Sequence, residues 1–291
     1  MIRILSQGGL GNQLFIWNLA HLLAENSNKK IEIFYNKDNS PVFRRDFELG
    51  RLTHHCRHGI LLKERRVTPY LFSIHDKIQS SKFRKINFLK KIANLEEVID
   101  PFGGIKIKEK PNQIIRGFFQ NQNLVEAGWK NIAIELESLF ESIKTENFYK
   151  KISLLPFEKY QVLHFRRGDY EINKDSLGIL TIDYYRSKTQ PNLKSIICFD
   201  DESLRTKLEN EFPEAIIMSP KEFNTWETLA VMCSADNLIM ANSTLSWWAA
   251  HFVLAKGKKA ISPKPWHKNQ FVEQSFLEFD GLSFAESDFE E

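Results

Sequence analysis

The chain has 291 residues, 42% hydrophobic and 26% charged, with a formal net charge of +3. That is enough apolar material for a substantial core in one or two domains, and it excludes a disordered, low-complexity or collagen-like protein. The charge is unevenly laid out: Arg44 to Lys91 is dense in Lys and Arg, whereas Glu273 to Glu291 is acidic without a base. A solvated face is the default reading of the basic stretch, with a peripheral contact at the inner face of a membrane or an acidic acceptor as the sharper one. No nucleic-acid partner is expected. Cys56, Cys198 and Cys233 are odd in number and widely spaced, which argues for free thiols in a reducing compartment. The chain enters Ile2–Leu5 without a basic-then-apolar leader, and its longest apolar stretch, Trp247 to Ala255, is too short to span a bilayer. A cytoplasmic protein is therefore expected.

Ile2 to Leu5 reads as a buried strand. The segment from Gln7 to Phe15 follows as a glycine-rich turn into a helix with an apolar face of Phe15, Leu19, Leu22 and Leu23, and Ile31 to Tyr35 as a second strand. A strand, glycine loop and helix in that order can bring backbone N–H groups to a ligand. The dinucleotide fingerprint nevertheless fails, because with Gly9 and Gly11 as its first glycines the third falls at Leu14, which disfavours an NAD-dependent oxidoreductase. No phosphate-clamping lysine follows the loop either. A tight turn accounts for the glycines but leaves Asn12 and Gln13, two amides at the mouth of the loop, unexplained. From Phe43 to Lys110 the signals are mixed. The cluster His54-His55-Cys56-Arg57-His58 lacks a second ligand pair at zinc-finger spacing. Ile114 to Gln120 reads as a strand and turn and Asn123 to Ile143 as a long amphipathic helix, after which a linker around Leu154-Leu155-Pro156 closes a first domain, 1–154.

In the second domain, 155–291, short apolar runs alternate with helical ones. Strands are expected at Tyr160–Phe165, Ser195–Phe199, Ala215–Met218, Asn237–Ala241 and Lys259–Ser262, and helices at Ile182–Lys188, Glu202–Asn210, Thr225–Cys233 and Ser243–Leu254. Such βα alternation implies a parallel, doubly wound sheet, so the expected architecture is α/β, two Rossmann-like domains with a cleft between them. Three strand ends should then meet at one edge: Arg166-Arg167, Asp200-Asp201 and Asn242-Ser243-Thr244. Paired guanidinium forks suit a phosphate, and Asn242 to Thr244 both cap a helix and offer its positive end to an anion. Asp200 and Asp201 can hold a metal or pair with the arginines; without an Asp-x-Asp motif and with two arginines present, pairing is favoured and no metal is expected. His164 reads either as a base or as a hydrogen-bonding partner to a ring. The Asn-Ser-Thr sequon is read as accidental at a strand-to-helix turn.

Gly8-Gly9-Leu10-Gly11-Asn12-Gln13-Leu14-Phe15, His164-Phe165-Arg166-Arg167-Gly168-Asp169-Tyr170, Phe199-Asp200-Asp201 and Ala241 to Ala250, in that order and spacing, together resemble the alpha-1,2-fucosyltransferases of glycosyltransferase family 11. The resemblance implies an inverting, metal-independent enzyme of GT-B architecture that moves L-fucose from GDP-β-L-fucose to a galactoside hydroxyl of an oligosaccharide or lipid-linked glycan, in the manner of bacterial members that build surface polysaccharides. Residue by residue, it assigns Arg166 to the donor β-phosphate, His164 to the neighbourhood of the guanine, Ser243 and Thr244 to phosphate contacts, and Asp236 to the guanine edge. It assigns Gly9, Gly11 and Asn12 to a first-domain loop over the reacting sugar. Arg167 is expected to pair with Asp200 or Asp201. Asp169 is the candidate base, although a carboxylate beside two guanidiniums is better suited to fixing the turn or orienting Arg166. A non-catalytic nucleotide-sugar or polysaccharide binding module is the rival from another class.

Overall fold

The computed structural model describes residues 1–35, 46–54, 59–64, 114–115, 117–151, 159–269 and 277–291. The basic stretch falls largely outside these residues, as do most of the histidine cluster and the expected linker at Leu154 to Pro156. Two compact units divide the chain, Met1–Leu136 and Glu137–Glu291, so the boundary lies 18 residues before the expected one, inside a long helix. Among the described residues no helix is long and apolar enough to cross a membrane.

The first unit is a four-stranded parallel sheet of order β3-β2-β1-β4, with β1 Ile2–Leu5, β2 Ile31–Tyr35, β3 Leu61–Glu64 and β4 Ile114–Ile115. Helix α1, Leu10–Asn26, joins β1 to β2, and α2, Gln122–Ile143, follows β4. The apolar face read for α1 was too narrow: apart from Asn12, every residue from Leu10 to His21 is buried, including Ile16 and Trp17. A helix buried on all sides needs partners for its polar groups. Trp17 Nε1 donates to Glu135 Oε2 at 2.8 Å, His21 Nε2 lies 3.0 Å from the same oxygen, and Asn18 donates to the carbonyl of Leu124 at 2.7 Å.

The second unit holds six parallel strands in the order β10-β9-β8-β5-β6-β7: β5 Tyr160–Phe165, β6 Lys194–Phe199, β7 Ile216–Met218, β8 Asn237–Ile239, β9 Lys259–Lys264 and β10 Ser283–Glu286. The chain starts at β5, builds outward through β6 and β7, and then returns to the other side of β5. All six residues of β5 are buried, as expected of a central strand covered on both faces. The core around it joins Leu163, Phe165, Tyr184, Tyr185, Ile197, Phe199 and Leu208, with the Phe165 and Tyr185 rings 3.8 Å apart. The helices are α3 Glu146–Lys151, α4 Lys174–Leu177, α5 Ile182–Arg186, α6 Arg205–Glu211, α7 Thr225–Met232 and α8 Thr244–Ala255. Asn224 starts α7 with a capping box closed by Glu227, and Ser243 starts α8 by accepting the Leu245 N–H. Two parallel α/β units are thus what the βα alternation led one to expect.

Candidate functional site

In an open parallel sheet the place where strand order reverses leaves a crevice beyond the strand ends, because the two loops there diverge to opposite faces. In the second unit that point lies between β5 and β8. Register pairs Phe165 with Phe199 and Leu163 with Ile239, so Arg166, Asp200 and Asn242 all emerge at the same edge.

After β5 the turn expected at Gly168 takes the form of a 3-10 turn, Gly168–Asn173. Arg166 lies over it. Its Nη2 donates to Asp169 Oδ1 at 2.6 Å, its Nη1 stands 2.7 Å from Asp200 Oδ2 in an ion pair lacking hydrogen-bond alignment, and its guanidinium carbon lies 5.2 Å from the centre of the Tyr170 ring. Tyr170 donates in turn to the Asn242 carbonyl at 2.7 Å, and the Asn242 amide donates to the carbonyls of Leu177 and Gly178. Burial pushes the Tyr170 hydroxyl up to about 12, so it remains a neutral donor. Arg166, Tyr170 and Asn242 therefore form one chain of contacts across the crevice. Tyr170 was quoted in the sequence only as part of the motif; its role comes from where the turn carries it.

The expected pairing of Arg167 with Asp200 or Asp201 is corrected. Asp200 takes the Arg166 side chain but only the backbone N–H of Arg167, at 2.8 Å, while Asp201 caps the turn behind it by accepting the Ser203 N–H. The Arg167 guanidinium turns instead to Glu171 and to Glu290, the latter at 2.9 and 3.1 Å. His164, one residue before the edge, is 3% exposed; burial, seconded by the Arg166 charge, lowers it to about 3. It is neutral at physiological pH, and among the described residues its Nδ1 has no partner. Ser243 and Thr244 open α8 at the same edge, Ser243 buried and Thr244 half-buried.

Asp236 does not join this group. It precedes β8 and therefore lies at the opposite edge, where it accepts the Tyr160 N–H and pairs with Lys258. The length of β5, roughly 20 Å at about 3.3 Å per residue, separates it from Arg166. No contact between Asp236 and a ligand at the crevice follows from this placement.

The first unit has a switch point of its own, between β1 and β4. Gly8 is in the left-handed region at φ +74, and a Cβ there would stand 2.5 Å from the Asn12 amide nitrogen. Gly9 is the N-cap of α1 with no side-chain cap, and Gly11 lies buried in its first turn. Asn12 accepts a hydrogen bond from Gln120 at 2.8 Å, joining the loop after β1 to the segment after β4. Phe119, just before Gln120, holds a left-handed φ of 54 that only a well-supported side chain tolerates. The second amide, Gln13, is structural: it donates to the carbonyls of Gly8 and Asp46 and accepts the Glu48 N–H. Among the described residues no three His, Cys, Asp or Glu side chains form a group that could hold a metal ion.

No protein-family profile matches the chain. It is 27% identical, over 89% of its length and 92% of the relative's, to the O-antigen biosynthesis glycosyltransferase WbnK of Escherichia coli. It is 26% identical, over 90% and 91% respectively, to an alpha-1,2-colitosyltransferase of the same species. Among solved structures, fucosyltransferase NodZ from Bradyrhizobium aligns with 85% of this chain and 92% of its own at 11% identity and a TM-score of 0.48. The chain is thus a two-unit parallel α/β protein, similar to an O-antigen biosynthesis glycosyltransferase and to an alpha-1,2-colitosyltransferase along about nine-tenths of its length.

Proposed function

We propose that the chain is an inverting glycosyltransferase of GT-B type that moves L-fucose from GDP-β-L-fucose to the O-2 hydroxyl of a galactoside during surface-polysaccharide synthesis. The observation that carries the reading is Arg166 at the switch point of the second unit, held by Tyr170 and by two carboxylates that an incoming diphosphate can replace. Both relatives' names support sugar transfer, one of them in O-antigen biosynthesis and the other with an alpha-1,2 linkage. The motifs quoted above support the GDP-fucose donor. In this reading the bond from the sugar C1 to the diphosphate oxygen breaks through an oxocarbenium-like state. Arg166 then gains most as charge builds on the leaving oxygen, which is how a contact speeds a reaction and not merely binding. The acceptor oxygen forms the new bond from the opposite face, and its proton passes late in the step to the departing diphosphate. Asp169, engaged by Arg166, orients the guanidinium; His164, neutral and buried with an open nitrogen, is suited to a ring edge and not to proton abstraction.

The test is to incubate the protein with GDP-fucose and a panel of galactosides, measure GDP release, and assign the linkage of the product. Acceptor-dependent release and an alpha-1,2 product are expected, unaffected by EDTA, since Arg166 supplies the charge a metal would otherwise bring. Arg166→Ala is expected to lower kcat/KM by about a hundredfold or more, and Arg166→Lys nearly as much, because an ammonium cannot copy the fork. GDP binding without turnover on any acceptor would identify a binding module. A second reading replaces fucose by colitose, as in the relative of that name, and the same panel run with a colitosyl donor separates the two.

A further inference from the structure

The two arginines after β5 have different surroundings. Arg166 contacts groups a ligand can displace, whereas Arg167 is held by Glu171 on its own turn and by Glu290, more than a hundred residues away in sequence. Glu290 lies beyond β10 in a segment fixed on both sides. The Ser287 N–H donates to the Lys264 carbonyl at 3.0 Å, the Thr181 N–H to Asp288 at 2.8 Å, and the Glu290 N–H to Ile179 at 2.8 Å; Lys268 Nζ reaches the Glu290 carbonyl at 2.8 Å. Phe289 packs so close to Gly178 that a Cβ there would come within 2.4 Å of its ring. Such a segment delivers one carboxylate to one place.

We infer that Glu290 is a positioning residue: by gripping Arg167 it fixes the turn that presents Arg166, and of these two arginines it leaves Arg166 open to the donor diphosphate. The inference rests on the nucleotide-sugar reading above. Its reasoning is competitive. Arg167 already gives its backbone N–H to Asp200, and Asp169 is two residues along the turn, so an Arg167 fork freed from Glu290, its Nε still on Glu171, can turn its Nη groups toward Arg166's carboxylates. Without Glu290 the turn samples both arrangements, and the anion binds the presented one at the cost of that loss of order.

A double-mutant cycle on GDP affinity tests this, using calorimetry on the full chain: wild type, Arg167→Met, Glu290→Gln and the pair, with Glu278→Gln as control because it removes a more exposed ion pair, to Lys264. GDP is expected to bind about five- to tenfold more weakly to Glu290→Gln, whereas the pair is expected to bind no more weakly than Arg167→Met alone, because no freed fork is left to compete, with the control unchanged. Glu290→Gln within twofold of wild type, or fully additive losses, would overturn the inference and leave the functional reading standing. A wild type that does not bind GDP would overturn both. Ligand-free melting temperatures keep folding separate; if Glu290→Gln falls by more than about 5 °C, Glu290→Asp takes its place in the cycle under the same criteria.

Discussion

A methyl group on Gly168 would stand 2.7 Å from Asp200 Oδ2, closer than real Cβ atoms come, and 3.2 Å from its Cγ, tighter than most such contacts. The glycine is needed here for room and not for an unusual backbone angle. Asp200 is the carboxylate that both balances Arg166 and takes the Arg167 N–H, so pushing it aside disturbs both arginines at once. Gly168→Ala is therefore expected to raise the donor KM about tenfold, with a smaller change in kcat, and to cost about 1–3 kcal/mol of stability. Steady-state kinetics with a denaturation curve check it, and unchanged donor KM would show that Asp200 can yield without consequence. At this scale Arg166, Asp200 and Asn242 were legible in the sequence, because each directly follows an apolar run and parallel strands put all such residues at one edge. Which guanidinium takes which carboxylate was not legible. Arg167 turns away at φ −134 and ψ −70, a backbone step that no periodicity announces, toward a glutamate that only the folded chain brings near. Asp236 was misread against a rule the sequence did contain: a residue that precedes a parallel strand sits at the edge opposite to those that follow it.

Helices α1 and α2 show how an element's pattern can hide its energetics. Glu135 is 1% exposed and meets His21 and the indole N–H of Trp17 from α1. The amphipathic reading of α2 left Glu135 among its polar positions, since an acid inside an apolar stripe is visible only once its partner helix is in place. Removing the carboxylate takes the acceptor from the buried Trp17 N–H and a close contact from His21, whereas supplying an isosteric amide retains one acceptor. Glu135→Ala is expected to destabilise the first unit by about 3–5 kcal/mol and Glu135→Gln by less, because breaking one side of a buried pair costs more than the pair contributes. Urea unfolding followed by Trp17-sensitive fluorescence measures it, and a loss below 1 kcal/mol for the alanine would mean the site rehydrates freely. Five of the six strands of the second unit were legible because they are short, apolar and bounded by turn residues. Strands β3 and β10 were not: both are edge strands, Leu61-Leu62-Lys63-Glu64 and Ser283-Phe284-Ala285-Glu286, with Leu61 and Phe284 exposed, so neither buries the alternating face that marks a strand.

On the scale of the whole molecule the buried histidines set a pH dependence whose sign can be worked out. His164 and His251 both lie in the second unit, and burial lowers each from 6.5 to about 3; for His164 the Arg166 charge adds to it. His251 is packed between aromatic rings, stacked on Phe279 with centroids 3.8 Å apart. The unfolded chain therefore binds protons that the folded chain refuses between about pH 6.5 and 3. The stability this represents is fully present above 6.5 and is lost as pH falls through that window, at up to about 1.4 kcal/mol per pH unit for each histidine. His267, lowered mainly by burial, works in the same direction. Denaturant unfolding at constant salt between pH 7.5 and 4.5 is expected to show stability level down to about 6.5 and then falling with a slope of two to three protons, before the carboxylates begin to titrate. His251→Gln is expected to remove about one proton from that slope, whatever it does to stability at pH 7.5, because the slope counts protons and the packing loss does not. An unchanged slope in His251→Gln would mean that the folded protein already protonates His251 in this range, and the claim that burial among Trp247 and Phe279 keeps this imidazole neutral would fall.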